Sequence, residues 1–304
     1  MHDSNKHWYG FSLSLLTAVM WGVLPVFIKL CLQVMDAPTI TWYRFLVAGI
    51  FVFVVLAKQR ALPVMRSFAS YFGVLTVLAT LFLVLNYVGN VKGLEYLNPE
   101  TSQVVMQLAP FLLMVGGIVF FAERLSGIEK IGALCIFAGL LLFFNDRLDT
   151  VFGALNQFNT GIMYVIGAAA TWAVYALLQK PLLRVFTARQ LTMTIYLLGM
   201  VLLLPFIQLD QLLKMTALQF AALVFCCVNT IVGYGAFTEA LSVWQASKVS
   251  AVIALAPIFT FISMWCAVAW LPEHFVMSEL DLWAYVGAGV VVCGSMLTSL
   301  GRAK

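Results

Sequence analysis

The sequence has very little charge. Only 10% of its 304 residues are Asp, Glu, Lys or Arg, where soluble domains have about 25%. Hydrophobic residues make up 63%, and the mean hydropathy is +1.00. A chain with so little polar surface cannot cover itself in water, which excludes a soluble enzyme, a disordered chain and a secreted disulfide scaffold. The class that remains is a helical membrane protein.

Residues and motifs that support enzyme chemistry are also scarce. The three histidines lie outside the apolar runs, and the six cysteines lie inside them without a CxxC pair. The sequence lacks the phosphate-binding motif GxxxxGK[ST] and the hydrolase motifs GxSxG and HExxH. We therefore predict no enzyme activity, no metal or other cofactor, and no nucleic-acid partner.

Long apolar runs predict ten transmembrane helices, because a bilayer core needs about 20 apolar residues per helix. Two helix starts have recognisable caps. Asn98-Pro99-Glu100 supplies a capping Asn, a first-turn Pro and a first-turn acid, and Ser126-x-x-Glu129 predicts a capping box. The first run lacks a small-residue cleavage site, so we interpret it as span 1 and not as a signal peptide. The spans are predicted near residues 9–31, 39–57, 69–90, 100–121, 127–145, 160–179, 189–207, 217–239, 247–270 and 279–299.

Basic residues predict the orientation of the chain. Twelve Lys and Arg residues flank one set of span ends, four flank the opposite set, and Arg44 lies inside span 2. Because cytoplasmic loops carry the excess of basic residues, both termini are predicted to lie in the cytoplasm. We expect a multi-pass protein of the bacterial inner membrane with the lipid bilayer around it, either as a monomer or as a homodimer.

The two halves of the sequence repeat each other. Each half contains five predicted spans, and because five is odd, the second half must be inserted upside down. The prediction is therefore two inverted five-helix repeats, residues 1–150 and 151–304. The matched residues are Gly10, Trp21 and Lys29 with Gly161, Trp172 and Lys180; Tyr87, Leu94, Ala109 and Pro110 with Tyr234, Leu241, Ala256 and Pro257; and Gly132 and Gly139 with Gly287 and Gly294.

Three segments carry a family resemblance: TAVMWGVLPVFIK (17–29), GLEYLNPETSQVVMQLAPFLLMVGGIVFFAERL (93–125) and GALCIFAGLLL (132–142), together with Arg44 in span 2. They resemble the EamA-type branch of the drug/metabolite transporter superfamily, over almost the whole chain. The resemblance implies a ten-helix inner-membrane carrier, of a kind that often exports amino acids or other small metabolites. One departure concerns Arg44, because Thr194 stands where an offset of 150 residues would repeat it.

Arg44 is the most informative polar residue, because charge inside hydrocarbon is costly and marks candidate substrate paths. One interpretation is a bidentate clamp for a substrate carboxylate or phosphate, with the neighbouring Tyr43 beside it. The other is a snorkelling side chain or an internal salt bridge, for instance to Glu95. Glu95 and Glu239, near the ends of spans 3 and 8, are candidates for proton coupling, and a loop-side position is the other interpretation of Glu95.

Span 4 carries Gln103, Gln107, Pro110 and Met114 at helical spacing, which places them on one face. Amides facing lipid would be costly, so this face is predicted to line a cavity, with helix–helix contact as the alternative. Pro110 is predicted to loosen the backbone pairing. Ser250 begins the corresponding face of span 9.

Aromatic and amide residues complete the candidate site. Trp172 and Tyr175 share a face of span 6, and Trp21 is the counterpart of Trp172 in span 1. An indole can stack on a substrate, and an ordinary packed core is the alternative. The remaining candidates are Asn86, Asn90, Tyr87 and Tyr234, of which the asparagines either line a cavity or tie helices together.

Two further sets of residues are predicted to have structural roles. Lys29 and Lys180, near the ends of spans 1 and 6, are expected to reach the lipid headgroups. The glycine pairs Gly132/Gly139 and Gly287/Gly294 each share one helix face and permit close contact, either between the halves or in a dimer.

Three functions remain open. The leading hypothesis is a secondary transporter that exports a small amphipathic metabolite, such as an amino acid or related carboxylate. The second is efflux of drugs. The resemblance implies that cation exporters use an acid in the first helix, and span 1 has none, so neutral drugs fit better. The third is a membrane scaffold or sensor, in which substituting Arg44 or Gln103 would harm folding without affecting any flux.

Overall fold

The computed structural model describes residues 2–63, 71–121, 126–147 and 156–300, and within these ranges all regular secondary structure is helical. Nine helical segments of the described chain are long and apolar enough to cross a membrane. The prediction of an all-α membrane protein is therefore confirmed. The proposed repeat boundary after residue 150, and the basic residues Arg66, Arg124, Arg302 and Lys304, lie outside the described residues.

The helices follow the predicted spans closely. The first half contains α1 (His2–Cys31), α2 (Ala37–Lys58), α3 (Tyr71–Tyr96), α4 (Pro99–Met106), α5 (Leu108–Phe121) and α6 (Gly127–Phe143). The second half contains α7 (Gln157–Leu182), α8 (Ala188–Leu203), α9 (Asp210–Leu213), α10 (Ala217–Val243), α11 (Ala246–Ile253), α12 (Ala256–Trp270) and α13 (Leu282–Leu300). Spans 4 and 9 are each divided into two helices, and α6 has 17 residues.

Side-chain caps define several helix starts. The predicted capping box at α6 is confirmed: the Ser126 N–H donates to Glu129 Oε2 at 2.8 Å, and the Glu129 N–H donates to Ser126 Oγ at 3.2 Å. Asn98 occupies the N-cap position of α4, but its side chain makes no capping hydrogen bond, so that part of the prediction is wrong. The backbone N–H groups at this end of α4 consequently lack a side-chain cap.

The two halves interlock, and their largest interfaces lie between helices of different halves. Helix α1 packs along α10, and α3 packs along α7. Two further interfaces pair α2 with α8 and α6 with α13. Buried apolar side chains from both halves form each of the three main clusters of the core. Neither half therefore buries its apolar faces by itself.

Helices α6 and α13 approach each other closely through the four repeated glycines. A Cβ atom added to Gly139 would lie 2.8 Å from the Gly287 carbonyl oxygen, and one added to Gly132 would lie 2.8 Å from the Gly294 oxygen. The clashing atoms belong to the backbone, so the helices would have to separate to make room. The glycine pairs thus form a contact between the two halves of one chain.

Replacing one of these glycines should destabilise the protein. We expect Gly139→Ala to cost about 1–3 kcal/mol, the usual cost of overpacking, because a backbone atom must move. Thermal unfolding of the purified protein in detergent, followed by size-exclusion chromatography, measures the effect as a lower Tm. Gly289→Ala in α13 is the matched control, since nothing lies within 4 Å of the added Cβ. Equal Tm values for the two variants would contradict the close-contact account.

Candidate substrate site around Arg44

Arg44 is positioned by the start of α2. The Asp36 side chain caps this helix by accepting a hydrogen bond from the Thr39 N–H at 2.9 Å, and a proline follows in the first turn. Two turns further on, Arg44 is only 4% exposed, and its Nε donates to Thr230 Oγ1 of α10 at 3.0 Å. Arg44 is therefore a buried contact between the two halves and does not snorkel.

The guanidinium of Arg44 has no acidic partner among the residues that the structure describes. In the described part of the chain, the ion pairs are Lys92–Glu95, Arg189–Glu239 and Lys214–Asp210. The proposed alternative of an Arg44–Glu95 pair is wrong, because Glu95 Oε2 lies 2.6 Å from Lys92 Nζ. Arg44 contacts neutral groups only, and its Cζ lies 4.5 Å from the centre of the Tyr87 ring. Because a buried charge without a counter-charge is costly, this position favours a bound anion.

Four tyrosines from both halves form a cage beside Arg44: Tyr87, Tyr175, Tyr196 and Tyr234. The ring centres of Tyr87 and Tyr234 lie 6.4 Å apart, and those of Tyr196 and Tyr234 lie 6.2 Å apart. Within the described residues, the buried hydroxyls of Tyr87 and Tyr196 have no hydrogen-bond partner. Such hydroxyls remain available to a polar ligand that enters the cage.

The predicted tryptophans lie at the edge of this cage. The ring of Trp21 is 5.2 Å from that of Tyr234, and Trp172 packs against the apolar cluster that contains Tyr87, Tyr175 and Tyr196. Trp21 is held close to α10 because Gly233 leaves room for it. A Cβ at that position would lie 2.8 Å from the indole nitrogen. The structure thus brings together Arg44, Trp21, Trp172 and three of the predicted tyrosines.

Spans 4 and 9 are broken at corresponding points. Helix α4 ends at Met106 and α5 begins at Leu108, two residues before Pro110. The same break separates α11 from α12 ahead of Pro257. A proline lacks the N–H that would bond to the preceding turn, so the backbone pairing fails there, as predicted for Pro110. The predicted continuous face of span 4 is therefore interrupted at Gln107.

Gln103, Gln107 and Ser250 differ in their burial. Gln107 is buried and Gln103 half-buried, and their side chains make no hydrogen bond within the described ranges. Ser250 is exposed, so its position does not match that of Gln103. Tyr43 is half-buried and packs edge-on against Trp42 with ring centres 5.0 Å apart.

The asparagines of α3 form hydrogen bonds between helices, which is one of the two roles expected for them. Asn86 Nδ2 donates to the Ala168 carbonyl of α7 at 2.8 Å. Asn90 Oδ1 accepts from Ser102 Oγ of α4 at 3.3 Å. These amides bridge neighbouring helices and have part of their hydrogen-bonding capacity in use.

Charged residues near the helix ends are engaged in local contacts. The Lys29 side chain is not directed to the lipid headgroups. Its Nζ donates hydrogen bonds to the Leu94 and Leu97 carbonyls, and so supplies donors to free carbonyl groups at the C-terminal end of α3. Glu239 Oε2 lies 3.7 Å from Arg189 Nη2, and both side chains are partly exposed. Neither Glu95 nor Glu239 belongs to the tyrosine cage.

Sequence reasoning missed Tyr196, which is 1% exposed and contacts Phe45 with ring centres 5.0 Å apart. The helix caps carry the signal that would have found it. Asp36 and Thr187 cap α2 and α8 and are 151 residues apart, which pairs Phe45 with Tyr196. The same register places Ile195 opposite Arg44, so the charge still has no counterpart in the second half.

Comparisons with known proteins agree on one family. The model of the EamA-like transporter family matches residues 8–145 and 159–300. An uncharacterized transporter of Haemophilus influenzae is 37% identical over 96% of this chain and 95% of its own length. The uncharacterized inner membrane transporter YhbE of Escherichia coli is 39% identical over 96% and 92%, respectively.

More distant relatives extend the comparison. A probable amino-acid metabolite efflux pump of Escherichia coli is 27% identical over 81% of this chain and 82% of its own length. A solved structure with 16% sequence identity superposes with a TM-score of 0.63, covers 99% of both chains and shows the same fold. The chain therefore belongs to the EamA-like transporter family, within the drug/metabolite transporter superfamily, and is a multi-pass transporter of the inner membrane.

Proposed function

We propose that this transporter exports a small amphipathic metabolite, an amino acid or a related carboxylate, through the cage around Arg44. The observation that carries the proposal is the buried guanidinium, 4% exposed, which has only neutral neighbours within the described residues. A carboxylate entering the cage would supply the missing counter-charge and accept two parallel hydrogen bonds from the guanidinium. The substrate itself then completes the electrostatics of the site.

The remainder of the cage suits the apolar part of such a substrate. Trp21 and the tyrosine rings offer flat apolar surfaces, and the unpartnered Tyr87 and Tyr196 hydroxyls offer hydrogen bonds. Gln103 lies on the half-helix α4, and Gln107 follows the last residue of α4 at the break in span 4. Broken helices are typical of transporter binding sites, where irregular backbone lines a cavity. The relative described as an amino-acid metabolite efflux pump also supports this substrate class.

The transport mechanism that we propose is alternating access between two inverted repeats, residues 1–150 and 151–304. The pairing of helices supports it: the contact of α1 with α10 has a counterpart in that of α7 with α3, and α2 with α8 joins equivalent spans. In this proposal α6, the fifth span along the chain, also crosses the membrane and brings the number of spans to ten. Both termini lie in the cytoplasm, as the excess of basic residues indicates. Rocking of one repeat against the other would open the cage to either side.

A transport assay in liposomes tests this function. Proteoliposomes are loaded with a mixed pool of amino acids, organic acids and amines, with and without a pH gradient, and efflux is followed by mass spectrometry. We expect selective loss of carboxylate-bearing compounds. Loss of neutral drugs or amines would favour the drug-efflux hypothesis instead, and absence of any flux would favour a scaffold or sensor. An effect of the gradient would indicate proton coupling.

Arg44 variants separate the clamp from a structural role. Arg44→Gln should reduce carboxylate export at least tenfold, which corresponds to about 1.4 kcal/mol of lost binding. Arg44→Lys should give an intermediate rate, because a lysine keeps the charge without the bidentate geometry. The Tm of Arg44→Gln should stay the same or rise, since a buried unpaired charge is removed.

Arg184→Gln is the matched control for this prediction, because Arg184 is exposed in the turn after α7. Its export rate should equal that of the wild type. Full export by Arg44→Gln would contradict the clamp, and a large loss of Tm with unchanged flux per folded molecule would make Arg44 a purely structural residue.

The two unpartnered tyrosine hydroxyls provide a second prediction. Tyr87→Phe and Tyr196→Phe should raise the KM for export several-fold while leaving the Tm equal or higher, because a buried hydroxyl without a partner costs free energy in the folded state. Initial rates over a range of substrate concentrations measure the change. Tyr164→Phe is the control, since Tyr164 is 40% exposed and stacks on Tyr96 away from the cage. Unchanged KM values in both cage variants would show that the hydroxyls do not meet the substrate.

A further inference from the structure

A second pocket, separate from the Arg44 cage, lies in a lateral groove between α12 and α13. It has a volume of about 380 Å³ and is lined by Glu100, Phe261, Ile262, Trp265, Met277 and Tyr285. Glu100 comes from the first turn of α4, and Met277 from the connection between α12 and α13. No residue of the tyrosine cage takes part.

Glu100 is an unusual residue at this position because it is only 3% exposed. Its Oε1 accepts a hydrogen bond from Ser278 Oγ at 3.0 Å, whereas its Oε2 is buried without a partner among the described residues. The N-terminus of α4, which lacks a side-chain cap, favours a negative charge in the first turn. The carboxylate is thus held by Ser278 on one side, and it forms no ion pair with a Lys or Arg of the described chain.

The walls of the pocket are aromatic. The rings of Phe261 and Tyr285 lie 5.5 Å apart, and the indole of Trp265 is 64% exposed at the groove. Aromatic faces attract alkylammonium groups, and a carboxylate among them adds the opposite charge. The lining contributed by the described residues includes no Lys or Arg, so a phosphate next to Glu100 would meet repulsion without compensation.

A narrower apolar groove continues from this pocket along the same two helices. It has a volume of about 210 Å³, shares Phe261, Ile262 and Tyr285 with the pocket, and extends to Pro257 and Val292. A head-binding pocket followed by an apolar groove matches the shape of a molecule with one polar end and one alkyl chain.

We propose that this groove binds a cationic amphiphile, an alkylammonium compound whose positive head meets Glu100 and whose chain follows α12 and α13. A phospholipid is the less favoured occupant, because the Glu100 carboxylate would repel its phosphate and the described lining has no Lys or Arg to offset that repulsion. In this proposal Glu100 of α4 is the acid that meets an organic cation, whereas the predicted span 1, residues 9–31, contains no acid.

A binding experiment with a defined probe tests the proposal. Tritiated decyltrimethylammonium is bound to the purified protein in dodecyl maltoside, and binding is followed by scintillation proximity. Glu100→Gln should raise the Kd at least about tenfold, because it removes the one charged side chain among the described residues that line the pocket. Trp265→Leu, a substitution of a surface ring that leaves the fold intact, should raise it about threefold through loss of the cation–π contact. Glu273→Gln, an exposed acid in the turn after α12, is the control and should bind like the wild type.

Competitors distinguish the occupants of the groove. Decyl sulfate and phosphatidylethanolamine should compete poorly with the probe, and unlabelled decyltrimethylammonium should compete fully. Equal competition by decyl sulfate, or unchanged affinity in both Glu100→Gln and Trp265→Leu, would overturn the proposal and leave a groove that takes any alkyl chain. Full competition by phosphatidylethanolamine would identify a lipid site instead. Arg44→Gln should bind the probe normally, so this result is independent of the carboxylate-export hypothesis.

Discussion

A buried positive charge that has no counter-charge in the described part of the chain is the constraint on which the rest of this structure depends. Arg44 is 4% exposed, donates to Thr230 across the interface between the halves, and stacks on Tyr87. Removing a cation from water costs free energy that a hydroxyl and an aromatic face offset only in part. In the proposed function, binding of an anionic substrate would recover this uncompensated free energy and would couple occupancy of the cage to the packing of the two halves.

The interlocked halves allow such coupling because few contacts stay within one half. The large interfaces of α1 with α10, α3 with α7 and α6 with α13 all cross between halves, and the cage residues come from both. Close glycine contacts fix α6 against α13, while the breaks before Pro110 and Pro257 interrupt spans 4 and 9 about a third of the way along each span. The molecule thus combines a tightly packed pair of helices with two divided spans.

Much of the fold could be predicted because hydrocarbon imposes simple rules on length, charge and caps. Three features follow from local sequence: the positions of the spans, the capping box at Ser126 and the interruption of the helix before Pro110. The candidate site was harder to predict than the fold. Periodicity places a residue on one face of its helix, but it does not indicate which other helix packs against that face. Tyr196 was missed for this reason, and the choice between the two roles expected for Asn86 needed the structure, in which its side chain donates to a carbonyl of α7. Lys29 likewise has a specific acceptor that no spacing indicates, at the end of α3.

The central claim is that the substrate supplies the anion that Arg44 lacks. The most direct measurement is a cryo-electron microscopy structure of the protein with a carboxylate that it transports. Our account predicts density for the carboxylate within hydrogen-bond distance of the Arg44 guanidinium, with its apolar part against Trp21 and the tyrosine rings. A carboxylate bound elsewhere, or an Arg44 paired with an acidic side chain while substrate is bound, would contradict it.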